Sequence, residues 1–222
     1  MKLEAEDVAS YLKEHTEFFE SHAHLLTDIN IPHPHGGRTI SLAERQLLAL
    51  RDKNSLLESK LRELIQFGEE NDALGERVHR FSLALLMATS LESCLQAIHY
   101  NLREDFAVPH VAVRLWQGAE QYPNLTEFSG TSKELRVYAD SLTNPSCGPH
   151  ALYETGTWFG EDSGRLKSFA MVALRAEQAF GFLVLASEDP QRFYQGMGTL
   201  YLKRLGELIS VALKRYLPGE SA

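Results

Sequence analysis

A run of leucines at alternating three- and four-residue spacing most constrains what this 222-residue chain can fold into. The seam positions are Leu47, Leu50, Asn54, Leu57, Leu61 and Leu64. This is the a/d pattern of a coiled coil, and a single helix cannot bury such a seam alone. Asn54 at an a position favours two parallel strands in register, and Lys53 at g can meet Glu58 at the following e. The pattern therefore predicts a homodimer through a parallel coiled coil over residues 41–88; the alternative is a single amphipathic helix packed within one chain.

The seam changes its spacing near the middle of this helix. After Leu64 it resumes as Phe67, Asn71, Leu74, Val78, Phe81 and Leu85. One four-residue step has become three, a stammer that overwinds a supercoil locally. From Leu74 onward we expect the helix also to serve the core of a following domain.

Residues 1–40 are predicted to form a small helical unit. Asp7 is expected as the N-cap of its first helix, and its apolar residues are expected to cover Leu48 and Leu56, which lie outside the seam. A capping box of Ser41 and Glu44 is expected to begin the long helix. The pairs His22-x-His24 and His33-x-His35 are compatible with a metal site, but their spacing favours surface and turn histidines, so we expect no bound metal.

Charge and cysteine content exclude several classes of function. The formal net charge of −8 argues against nucleic-acid binding, which needs a basic patch. The acidic N-terminus has no apolar run typical of a signal peptide, and the apolar stretches are too short to span a bilayer. Cys94 and Cys147 form no metal-binding spacing and fit reduced thiols. We therefore expect a cytoplasmic protein without membrane contact.

Residues 89–222 are predicted to form an α+β domain. Val111–Trp116 has strand composition. The runs 168–174 and 179–186 are apolar on both faces, which indicates a central hairpin covered above and below. Further elements are expected as a helix to Glu104, a weak strand near 125–128, a helix over 132–142, one or two short strands through 157–159, and a last helix ended by Pro218.

This order of elements resembles a GAF domain. Residues 179–187 with the trailing Phe193 are similar to the G-x-L-x-L-x-S strand of that group. The whole chain resembles family 484 among the domains of unknown function, a bacterial GAF-like group. The matching stretches are Tyr11-Leu12, Glu17-Phe18-Phe19, Leu25-Leu26, Ile31-Pro32-His33-Pro34, Gly36-Gly37, Ser41-Leu42, Glu44-Arg45-Gln46, Gly196-Met197-Gly198-Thr199 and Leu205-Gly206-Glu207. The resemblance implies an antiparallel sheet flanked by helices and a dimeric role, with no established activity.

No cofactor motif occurs in the sequence. The dinucleotide and phosphate-loop glycine patterns, H-E-x-x-H and G-x-S-x-G are missing, as are the GAF signatures for cyclic nucleotides and bilins. We therefore expect no cofactor. GAF domains place a pocket between the sheet and its loops, and here this resemblance implies lining by Arg114, Trp116, Cys147, His150, Tyr153, Trp158 and Phe169. Aromatic walls with few polar groups are typical of small-molecule sites, although the same aromatic residues also suit a packed core.

These observations favour a non-enzymatic regulatory homodimer that binds a small molecule or a protein partner. Because Pro218 lies near the end of the chain, we expect the regulatory signal of the protein to act in trans, on a separate partner. One alternative is a structural adaptor without ligand. The second is a methionine sulfoxide reductase of GAF fold with Cys147 as nucleophile.

Overall fold

A computed structural model describes residues 4–25, 30–32 and 39–218, and for residues 30–32 and 39–44 it describes the backbone alone. The chain divides into two units, Met1–Asn71 and Asp72–Ala222, which we call the N-terminal and C-terminal units. The expected capping box of Ser41 and Glu44 concerns side chains outside the described set. The His33-x-His35 pair lies outside the described residues altogether.

The N-terminal unit begins with helix α1 (Ala5–Glu14), followed by the single turn α2 (Phe18–Ser21). The N-cap of α1 is Glu4, and its backbone N–H donates to the Asp7 carboxylate at 3.2 Å. Asp7 therefore occupies the third helical position, and our prediction of Asp7 as the N-cap was wrong. Strand β1 (Asn30–Pro32) pairs antiparallel with β2 (Thr39–Ser41).

Helix α3 spans Leu42–Met87 and continues through Gly68 and Gly75. The leucines of its seam are exposed in the single chain, with 64% of Leu50, 57% of Leu57 and 66% of Leu64 open to solvent. Leu56 is also 61% exposed, so the cover that we predicted for it is wrong.

The last turns of α3 belong to the C-terminal unit. There Phe81 and Leu85 are buried within its core, with Val78 packed against them. This confirms that the second half of the helix serves the following domain.

The C-terminal unit continues as an α+β fold. Its elements are α4 (Leu91–Glu104), β3 (His110–Leu115), a 3₁₀ turn (Thr126–Phe128), α5 (Lys133–Ser141), β4 (Ser146–Gly148), a 3₁₀ segment (Tyr153–Arg165), β5 (Ser168–Arg175), β6 (Ala179–Ser187) and α6 (Leu200–Lys214). The sheet is antiparallel throughout, in the order β3-β6-β5-β4. The central β5–β6 hairpin and the α+β class are thus confirmed.

Both faces of this sheet are covered. Alternate residues of the central strands point to opposite sides, and the side chains on each side join a separate buried cluster. Ala170, Val172 and Leu174 of β5 join a cluster with the buried residues of α3, α4 and α6; we call this side the helical face. Phe169 and Met171 join a second cluster with Leu135, Leu166 and Phe182. That side, which packs against α5, is the α5 face.

Two segments predicted as short strands are 3₁₀ helical instead. Residues Thr126–Phe128 form one turn, and Trp158 and Phe159 lie in the longer segment Tyr153–Arg165. In that segment the hydroxyls of Thr155 and Thr157 donate to backbone carbonyls three residues earlier, at 2.6 and 2.7 Å. Such local bonds compete with a strand ladder and curl the chain.

Helix α6 approaches the sheet closely because residue 206 is glycine. A Cβ atom there would lie 2.5 Å from Cγ1 of Val172 in β5, well inside van der Waals contact. Nearby, the backbone N–H of Arg175 donates to Oγ of Ser210 at 3.0 Å. The helix and strand are therefore held together both by close packing and by a side-chain hydrogen bond.

Candidate functional site

Four of the residues predicted for a ligand pocket meet on the α5 face. The guanidinium of Arg114 lies 5.1 Å from the ring centroid of Trp158, a cation–π arrangement. Trp116 donates from Nε1 to the carbonyl of Ala179 at 2.9 Å, and Phe169 is buried in the same cluster. Sequence reasoning thus found an aromatic cluster that the fold assembles.

The other three predicted residues lie apart from this cluster. Cys147 pairs with Ala170 in the ladder and packs against the helical face, on the opposite side of the sheet. His150 is exposed. Tyr153 is also exposed, with its ring 5.4 Å from that of Tyr138 in α5.

The α5 face is filled largely by its own side chains. Phe182 and Leu135 have no exposed surface, and Trp158 and Phe159 pack over them. Glu154 ties the 3₁₀ segment to α5 by accepting from the backbone N–H and the hydroxyl of Ser132, at 2.7 and 2.8 Å. Packing of this kind gives the predicted pocket residues a structural role.

The two cysteines are poorly suited to nucleophilic chemistry. Burial raises the pKa of the Cys94 thiol and that of the Cys147 thiol to about 11. Both are free, and Cys94 is buried. A thiol with a pKa of about 11 is protonated near neutral pH, whereas the thiolate is the nucleophilic form.

A cavity that the sequence did not predict lies where α3, α4 and α6 meet the segment after β6. Its volume is about 350 Å³. We call it the arginine cavity and define it by Leu74, Arg77, Phe106, Arg192, Met197 and Tyr201, which line it together with further apolar residues.

The residues of the arginine cavity come from three separated stretches of the chain, 74–77, 102–108 and 185–205, and only the fold brings them together. The one local feature that the sequence offers here is the Gly196-Met197-Gly198 stretch. Gly196 has φ of 89°, a conformation that favours glycine. It allows the turn that presents Met197 and Gly198 to the cavity.

A wider groove runs between the end of α3 and α6. It measures about 460 Å³ and is lined mainly by apolar side chains, among them Val78, Leu85, Leu86, Leu208 and Val211. Its charged residues include both signs, Arg204 and Arg215 with Glu207, so an acidic group is already present beside its cations.

Within the described residues, no group of three His, Cys, Asp or Glu side chains is placed to hold a metal ion. No helix in the same part of the chain is long and apolar enough to cross a membrane.

A four-stranded antiparallel sheet covered on both faces, and preceded in the chain by a long heptad-bearing helix, defines an α+β module. The sequence model of the family described as "Protein of unknown function, DUF484" matches residues 1–218, and the chain belongs to this family. The family expected from the sequence is thereby confirmed.

Relatives with full-length similarity carry the name "Uncharacterized protein YigA". The chain is 26% identical to that of Salmonella typhimurium and 27% identical to that of Shigella flexneri, in each case over 97% of this chain and 93% of the relative. The Escherichia coli K12 protein is 26% identical over the same shares.

Solved GAF domains are similar over about two thirds of the chain. The domain from a Coxiella burnetii phosphoenolpyruvate-protein phosphotransferase has a TM-score of 0.48 at 12% identity, covering 64% of this chain and 93% of that one. The domain from the Acinetobacter phosphoenolpyruvate-protein phosphotransferase has a TM-score of 0.46 at 16% identity, covering 63% and 92%.

Proposed function

We propose that the protein is a non-enzymatic regulatory module of the cytoplasm that acts as a homodimer, binds a small molecule in its C-terminal unit and acts on a protein partner in trans. The observation that carries this proposal is the exposed leucine seam of α3. More than half of Leu50, Leu57 and Leu64 is open to solvent, on the helix whose last turns enter the core of the C-terminal unit.

A second copy of this chain is the partner that best fits the seam. A heptad repeat pairs with itself, because each knob of one helix inserts into a hole formed by the same pattern on the other. In the single chain, the Asn54 side-chain amide donates to Glu58 of the same helix, at 3.4 Å. A parallel dimer would bring the two Asn54 amides together at the seam and fix the register.

The adaptor without ligand is a second candidate, favoured by one specific observation. The α5 face, where GAF domains were expected to hold a ligand, is filled by Phe182, Leu135 and the aromatic residues over them. The reductase alternative has weaker support, since both thiols have a raised pKa.

Native mass spectrometry of the purified full chain distinguishes these candidates. The regulatory module is expected as a dimer that carries additional non-covalent mass, and the adaptor as a dimer of bare polypeptide mass. A monomer at micromolar concentration would remove the coiled-coil dimer. For the reductase alternative, thiol-dependent reduction of free methionine sulfoxide is measured for the wild type and for Cys147→Ser; activity lost in the variant would overturn the non-enzymatic proposal.

A further inference from the structure

The arginine cavity combines an apolar wall with two guanidinium groups. Arg77 and Arg192 both line it, and its lining includes no aspartate or glutamate. Among residues 4–25, 30–32 and 39–218, neither arginine forms an ion pair. The acid that lies next to Phe106 in sequence, Asp105, already pairs with Arg80 at 3.4 Å. The cavity therefore has a net positive charge.

Arg192 is the more enclosed of the two cations. Its Nη2 donates to the carbonyl of Phe106 at 2.7 Å, just beyond the C-terminus of α4. Its Nε atom is buried and has no hydrogen-bond partner in the described part of the chain. A half-buried guanidinium is costly to leave without a counter-charge, and an oxyanion in the cavity would supply that charge.

The start of α6 also favours an anion in the cavity. Gly198, Tyr201 and Leu202 line the cavity at this end of the helix. Thr199 provides no side-chain cap, and the first turn contains no acidic residue. The first N–H groups of a helix bear partial positive charge and favour an anion. This effect reinforces that of the two arginines.

The rest of the wall is apolar and aromatic. Leu74, Phe106, Phe193 and Met197 contribute side chains without charge. A volume of about 350 Å³ suits a small ligand, since such sites begin at about 300 Å³. A strongly hydrated anion would leave this surface uncovered, whereas an aliphatic or aromatic body would bury it.

We propose that the arginine cavity binds a small amphipathic carboxylate, with its oxygens at Arg192 and Arg77 and its apolar body against Leu74, Phe106 and Met197. This inference rests on the proposed function, because it names the class of ligand that the regulatory module senses. It also places that ligand between the helices, away from the α5 face where the sequence predicted it.

The test is isothermal titration calorimetry of the full chain with defined probes. Decanoate and indole-3-propionate supply a carboxylate on an aliphatic and on an aromatic body. Decanol keeps the apolar body without the charge, and inorganic phosphate supplies the charge without the body. Saturable binding of at least one acid, one molecule per chain, is expected, with decanol and phosphate at least about tenfold weaker.

Variants locate the binding site. Arg77→Gln and Arg192→Gln are each expected to weaken binding of the acid by about tenfold or more. Arg103→Gln removes an exposed guanidinium that does not line the cavity, and should leave binding unchanged. Because Arg192 also holds the Phe106 carbonyl, Arg192→Lys and a thermal melt of each variant separate lost recognition from lost folding. Arg77 lies on the outer surface of α3 and provides an independent reading if Arg192→Gln does not fold.

Three outcomes would overturn the inference: no saturable binding of either acid up to about 1 mM, binding of decanol or phosphate as tight as that of the acids, or equal effects of Arg77→Gln and Arg103→Gln. The mass of the same samples is measured in parallel. A dimer that binds neither acid refutes this inference and leaves the homodimer standing, whereas a monomer that binds the acid refutes the homodimer alone.

Discussion

Truncation of one seam leucine, compared with its immediate neighbour, tests the proposed dimer directly. Leu57 at position d is 57% exposed in the single chain. Full burial of a leucine is worth about 1.5–3 kcal/mol, so covering the exposed half contributes about 1–1.5 kcal/mol per chain. In a symmetric dimer the substitution removes this burial free energy from both chains, so Leu57→Ala is expected to cost about 2–3 kcal/mol per dimer. The dimer dissociation constant should rise about 30- to 150-fold.

Leu56→Ala provides the matched control. Leu56 is 61% exposed on the same helix, one residue before Leu57, and lies outside the seam. The chemical change and the change in helix propensity are the same, so only the position relative to the seam differs. Sedimentation equilibrium over a range of concentrations measures both constants. If the two variants shift the dimer equilibrium equally, or if neither shifts it, the seam does not carry the association.

Three further predictions concern the C-terminal unit. Gly206→Ala is expected to lower the free energy of unfolding, measured in urea, by about 1–3 kcal/mol, because the added methyl group overlaps β5. Gly75 has open space around it, so Gly75→Ala should raise the free energy of unfolding by about 0.5–1 kcal/mol. Because burial raises the pKa of Cys147 to about 11, its alkylation by iodoacetamide should accelerate about tenfold per pH unit from about pH 7 to about pH 10, and a plateau below about pH 9 would contradict this. His99 lies 3.5 Å from Glu127 and lowers the pKa of that carboxyl. The pair therefore stabilises the fold at pH values above the ordinary glutamate pKa of about 4.3. This stability is lost as the pH falls through the lowered pKa of Glu127. His99→Gln should flatten the acid side of the stability–pH curve from urea titrations, and unchanged slopes would argue against the pairing.

The sequence predicted the sheet well where burial is continuous. Residues 168–174 and 179–186 are apolar on both faces, a pattern that few structures other than a doubly covered hairpin satisfy, and β5 and β6 occupy almost the same residues.

Composition misled where aromatic residues lie in a 3₁₀ segment. Trp158 and Phe159 suggested strand because they are large and apolar, yet they bury that surface against the α5 face without entering the ladder. Strand propensity reports a half-buried surface more than a backbone conformation, so it could not separate the two.

The arginine cavity was beyond sequence reasoning for a different reason. Arg77 and Arg192 are 115 positions apart, and nothing local marks either as lacking an acidic partner. Pairing of charges is decided by the tertiary structure. Arg80, three residues after Arg77, does find Asp105, and the sequence alone gives no means to tell these two arginines apart.

The outer strands of the sheet have a consequence for how copies of this protein associate. A strand at the border of a sheet offers unpaired backbone groups to any other strand, and proteins limit this with short strands, prolines and charged side chains. Here β4 has only three residues between Pro145 and Pro149, and β3 bears His110 and Arg114. Both borders thus discourage the strand-to-strand pairing of chains that leads to fibrils, in keeping with the proposed association through α3.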